Sequence, residues 1–207
     1  MRESLIDLIE RMTRPEPHAN SADSVSWHAH REAEKIDDVS LLQELNAFLE
    51  NSAGKEARSA VYFIIGKIGK NCGSPECASV LIARSKTEKD KYALSALLDR
   101  LADIPKPASV DLAPVFALLQ DKRWLVRHAA IRSLINTASA EAEGRILAHL
   151  RDASDPDDAI CCHATLNRIG TAAALPALEA GLKSRKRDVK LSAQAAIEAI
   201  AARSAAR

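Results

Sequence analysis

Apolar positions along this chain recur at helical spacing, and the helical stretches themselves recur. Leu5, Ile6, Leu8, Ile9 and Met12 fall on one face of a helix predicted over 2–13. Pro15 and Pro17 end it, and 14–26 reads as a loop. A weaker helix is predicted over 27–36, after which Asp37, Asp38 and Ser40 supply caps. From there the helices come in pairs. The first pair is marked by Leu41, Leu42, Leu45, Phe48 and Leu49, then a turn at 51–54, then 55–70 ending at Gly69 and Gly73, where glycine suits a left-handed cap. Four more pairs are predicted: 75–85 with 88–102, 109–120 with 122–137, 140–151 with 155–169, and 172–183 with 187–203. Pro156 sits at a favourable first-turn position.

The second helices align with one another from Ala57, Asp90, Val126, Asp158 and Val189, at intervals of 33, 36, 32 and 31 residues. One helix pair cannot bury its own apolar face, so a repeat of this length implies a stack of pairs. The expected fold is all-α: an α-solenoid, a right-handed superhelix of about five helix pairs with an N-terminal helical cap. Residues 1–38 are read as the cap and 39–207 as the repeats. No alternating Val, Ile, Thr or aromatic run argues for a sheet.

Composition narrows the function classes. Aromatics are 3% of the chain and Ala is abundant, which favours closely packed helices. The net charge is +1, so no global field draws the chain to nucleic acid or a membrane surface. No run of about 18 apolar residues predicts a membrane span. The opening residues do not read as a signal peptide, and a cytoplasmic location is the default expectation. Cys72, Cys77, Cys161 and Cys162 lack the spacing of zinc knuckles and are read as reduced thiols, the last two partly packed inside a helix.

The segment Asp121-Lys-Arg-Trp-Leu-Val126-Arg127-His-Ala-Ala-Ile-Arg-Ser-Leu134 resembles the second helix of a HEAT-like repeat, of the short Ala-rich type named after phycobilin lyases. Leu112-Ala-Pro114 and Leu175-Pro176-Ala agree as first helices that share a proline position. The resemblance covers about 40–203 and concerns architecture, not activity. It implies an Asp at the turn and a cation six residues on. Asp121 and Arg127 match both. Elsewhere the two places hold Ser52 and Arg58, Ser85 and Lys91, Ala153 and Ala159, and Ser184 and Lys190. Arg58, Lys91, Asp121, Arg127 and Lys190 are therefore expected to form a structural ladder, each cation reaching a turn carbonyl or an acid of a neighbouring repeat.

In such stacks the second helices line the concave side. Register places Tyr62, Phe63, Lys67, Tyr92, Asp99, Arg100, His128, Arg132, His163, Asn167 and Arg168 there, exposed between core positions. Tyr and Arg anchor interfaces well, so the expected function is a non-enzymatic module holding a protein or peptide. No cofactor, catalytic residue or metal is expected. His28 and His30 point apart on a helix, and Asp152, Asp155, Asp157 and Asp158 lack the glycine and terminal glutamate of a calcium loop. The alternative is a nucleic-acid protein or a helical-repeat DNA glycosylase. Lys183, Arg185, Lys186, Arg187 and Lys190 form a basic run, and Arg123-Trp124-Leu125-Val126-Arg127 is faintly similar to glycosylase helices. One turn after Trp124, however, stands His128 rather than an acid.

Overall fold

The computed structural model describes residues 2–16, 23–51 and 54–205; Met1, Pro17 and Ser52, which enter the sequence reading, lie outside them. Two compact units divide the chain, Met1–Pro105 and Lys106–Arg207.

In the first unit, α1 (Glu3–Thr13) and α2 (Val25–Ala33) form a hairpin, followed by the pairs α3 (Leu42–Glu50) with α4 (Lys55–Cys72) and α5 (Pro75–Ser85) with α6 (Lys91–Asp103). Caps follow the expected chemistry. The Ser24 hydroxyl accepts from the Trp27 N–H, and the Asp90 carboxylate accepts from the N–H groups of Tyr92 and Ala93. Asp38 caps a short 3-10 turn ahead of α3. The core runs along α4 and α6: Val61, Ile64, Ile65 and Ile68 face Leu94, Leu97, Leu98 and Leu101, all buried. Leu5, Leu8, Ile9 and Met12 bury the apolar stripe of α1, which packs on α2 and α4.

The glycines of α4 divide their roles. Gly73 takes the left-handed conformation that ends the helix, at φ 62°. Gly69 lies inside the helix instead of capping it. A Cβ there would stand 2.7 Å from Ile104 Cδ1 and 2.8 Å from Cys77 Cβ, so the missing side chain is what lets α4 meet α5 and the end of α6.

The second unit repeats the plan with α7 (Ala113–Leu118) and α8 (Trp124–Ser133), α9 (Ala140–Asp152) and α10 (Pro156–Ile169), and α11 (Leu175–Gly181) and α12 (Arg187–Ala205). α10 is central, packing on α8, α9 and α12. Val126, Ala129, Ala130, Ile146, Cys162, Leu166, Ala193 and Ala196 fill the core. The small residues Ala129, Ala130, Ala193 and Ala196 among them allow close helix approach. Lys106 pairs with the loop after α8: its N–H donates to Asn136 O and its carbonyl accepts from Ala138 N–H, both at 2.8 Å. That isolated bridge is the sole β feature among the described residues. No helix among them is long and apolar enough to cross a membrane.

Candidate functional site

In the first unit, the second helices and the N-terminal hairpin enclose a cleft of about 380 Å³. Phe63 projects from α4 and Arg100 from α6, while the end of α1 supplies Met12 and Arg14 and α2 supplies His30. The Arg100 guanidinium stands 5.4 Å from the Phe63 ring centre and Lys67 Nζ 5.0 Å from it. The His30 ring meets Phe63 edge-on at 5.0 Å. Gly66 makes this possible: a Cβ at that position would lie 2.6 Å from Arg100 Cβ, so the arginine stem lies directly across α4. The cations differ in their partners. Lys67 donates to Glu34 at 3.1 Å, and that hydrogen bond holds the Glu34 carboxyl below its ordinary value. Arg14 and Arg100 have no carboxylate partner among the described residues.

The other residues expected on this face divide between interior and surface. Tyr62 (2% exposed), His128 (7%) and His163 (1%) are buried, which corrects the expectation that they are exposed. Each has a polar partner that makes burial affordable. Tyr62 Oη donates to Glu88 at 2.9 Å, and burial followed by the Glu88 hydrogen bond pushes its phenol well up. His128 Nε2 lies 2.7 Å from Asp158 Oδ1. His163 Nδ1 lies 2.9 Å from Ser192 Oγ, and burial holds its imidazole below the usual value. Tyr92 is 62% exposed with Lys91 over its ring, and Arg168 is exposed. Asp99, Arg132 and Asn167 are half-buried, Asn167 donating to Ala195 O at 2.9 Å.

Two of the ladder cations make one and the same clasp. Arg58 grips Glu88 through Nε and a terminal nitrogen at 2.7 and 2.9 Å. Arg127 Nε lies 2.9 and 2.7 Å from the two oxygens of Asp158, and its Nη1 also donates to Asp121 O at 2.9 Å. In each case the acid lies one repeat ahead and is shared with a buried side chain of the same helix, Tyr62 or His128. The Asp121 carboxylate holds Arg123 at 2.7 Å. Lys91 and Lys190 are exposed, and Ser52 lies outside the described residues. The basic run Lys183, Arg185, Lys186, Arg187 and Lys190 is exposed throughout.

Sequence reasoning missed Glu88 and His149. Glu88 precedes a helix and reads as a solvated acid. His149 sits on a first helix and reads as polar surface, yet it is 6% exposed.

A family model described as HEAT repeats matches residues 112–198. Among solved structures, the chain resembles a designed armadillo repeat protein at 18% identity and a TM-score of 0.51, over 94% of this chain and 98% of that one. At that identity the likeness shows the fold alone. No curated protein matches the chain. The molecule thus has an all-α, armadillo-like helical-repeat fold, with HEAT repeats matched over 112–198.

Proposed function

We propose that this chain is a non-enzymatic binding module that holds an acidic segment of a protein or peptide in the cleft around Phe63. One observation carries the reading: Arg14 and Arg100, two guanidiniums without carboxylate partners, open onto the same cleft as the face of Phe63. An arginine fork suits a carboxylate, and an aromatic plate beside it suits the aliphatic stem of an Asp- or Glu-bearing chain. The exposed Tyr92 extends the set on α6. The likeness of 121–134 to phycobilin-lyase-type repeats concerns repeat length and small-residue packing, with no lyase chemistry attached to it.

Fluorescence anisotropy with acidic, neutral and basic peptides of equal length tests this. Acidic peptides should bind preferentially. Arg100→Glu and Phe63→Ala should each weaken them by roughly thirtyfold, the scale of an interface anchor, with the fold intact by circular dichroism. Equal binding of all three peptide classes, or indifference to both substitutions, overturns the reading. The exposed basic run favours the nucleic-acid alternative. Duplex and single-stranded DNA that bind at low salt, detach steeply as salt rises, and respond to Lys186→Glu/Arg187→Glu would put it first.

Residues 1–38 act in this reading as a cap that also supplies a wall of the cleft. Their deletion should expose the α4 surface now covered by α1, so the truncated chain should aggregate or bind a hydrophobic dye. A monomeric truncation of equal stability would remove the capping role.

A further inference from the structure

In the second unit, we infer a binding site for a zinc-class divalent cation, formed by His128 on α8, His149 on α9, and Asp155 and Asp158 at the start of α10. One ligand atom each from His128, Asp155 and Asp158 lies within 4.8 Å of the others. His149 Nε2 points at the same place, 3.4 Å from Asp158 Oδ2, and is buried without a hydrogen-bond partner. At 3.4 Å it lies within ion-pair reach of the carboxylate but lacks the alignment of a hydrogen bond. A buried imidazole nitrogen left without a partner is costly in a purely structural cluster. It stands outside the three atoms that lie within 4.8 Å of one another, and a turn of its ring toward an ion held there would complete a set of two imidazoles and two carboxylates.

The surroundings fit an ion. His149 Nδ1 lies 3.4 Å from Gln120 Nε2. A half-turn of that amide on ion binding would bring its oxygen to Nδ1–H and leave the Nε2 lone pair to the ion, the usual support for a metal-bound histidine. Asp155 uses Oδ1 to cap α10 through the Asp157 N–H, which leaves Oδ2 available. A cleft of about 290 Å³, lined by Asp152, Asp155, Asp158 and His149, gives a way in. Arg127 is the opposing charge. It lies along the Asp158 carboxylate and within 3.6 Å of Asp155 Oδ2, so it weakens the site without filling it. A carboxylate offers about four lone-pair positions, and Arg127 does not use them all; His128 Nε2 would exchange its hydrogen bond to Asp158 Oδ1 for the ion. Two imidazoles select zinc, cobalt or nickel over magnesium and calcium, which prefer all-oxygen shells.

The test is titration of the full-length chain with Co²⁺ followed by Zn²⁺ displacement, read by visible absorbance, with Mg²⁺ as control. Two substitutions spare the fold. His149→Gln removes no hydrogen bond from Nε2, and Asp155→Asn keeps an equally good helix cap. One ion per chain is expected, displaced by Zn²⁺ and not by Mg²⁺, and each variant should bind it roughly tenfold or more weakly. Saturating Zn²⁺ should raise the melting temperature of the wild type and not of the double variant. No binding by natively folded wild type, unchanged binding in both variants, or a thiolate charge-transfer band from the cysteines would each overturn the assignment.

Discussion

Replacing Glu88 with alanine should destabilise the first unit by about 3–5 kcal/mol, the cost of removing one partner of a buried ion pair. The Glu88 side chain is 2% exposed and accepts from Arg58, from the buried Tyr62 hydroxyl and from the Asp90 N–H. Alanine leaves all three donors without that acceptor. Because the loss is mostly the penalty of stranded groups, Arg58→Met with Glu88→Leu should cost much less than Glu88→Ala alone. Urea titration checks both. A cost for Glu88→Ala under about 1 kcal/mol would place the clasp among ordinary surface pairs. The clasp also sets the acid limit. Burial raises the Glu88 carboxyl, but Arg58, the Asp90 N–H and Tyr62 outweigh it and hold it below its ordinary 4.5. Asp158 is likewise held below 3.8 against burial, by Arg127 and then His128. A group whose folded value is lowered contributes stability above its unfolded value and loses it as pH falls through the folded one. Stability should therefore decline as pH drops below about 4.5. Glu88→Gln should flatten part of that decline while costing stability at neutral pH.

These clasps show what was legible in the sequence and what was not. The helix pairs follow from apolar spacing within each segment, because the core of a stacked repeat is built from local stripes. Arg58 and Arg127 are visible for the same reason, as cations at a recurring register. Their acids are not, since Glu88 and Asp158 lie 30 and 31 residues away and differ in type and local position. In the sequence Tyr62 and His128 read as surface residues, because a polar tip looks solvated until its partner is known. Tyr62 stands one turn after Arg58 on α4, so both reach the same carboxylate. Phe63 and Arg100 do meet at a common cleft. What brings them within 5.4 Å is Gly66, whose part is a missing side chain that apolar periodicity does not register.

Two glycine-to-alanine substitutions should change stability in opposite directions. Alanine is favoured over glycine inside a helix by about 1 kcal/mol, so propensity alone predicts a gain at both Gly69 and Gly144. Gly144 lies exposed in α9, and a Cβ there meets nothing within 4 Å. Gly144→Ala should therefore realise most of that gain, about 0.5–1 kcal/mol. At Gly69 the new carbon would stand 2.8 Å from Cys77 Cβ, which no rotamer change can move, and 2.7 Å from the fully buried Ile104 Cδ1. Overpacking of this kind costs about 1–3 kcal/mol, so it should exceed the propensity gain and leave Gly69→Ala destabilised. Ile104→Val in the Gly69→Ala background removes one of the two contacts and should recover part of the loss, whereas in the wild type it should cost stability. Denaturant midpoints of the four variants decide this. A neutral or stabilised Gly69→Ala would mean that α4 stands farther from α5 and α6 than this packing requires. The same spacing brings Gly66 against Arg100, so that result would also weaken the case for the cleft as the binding site.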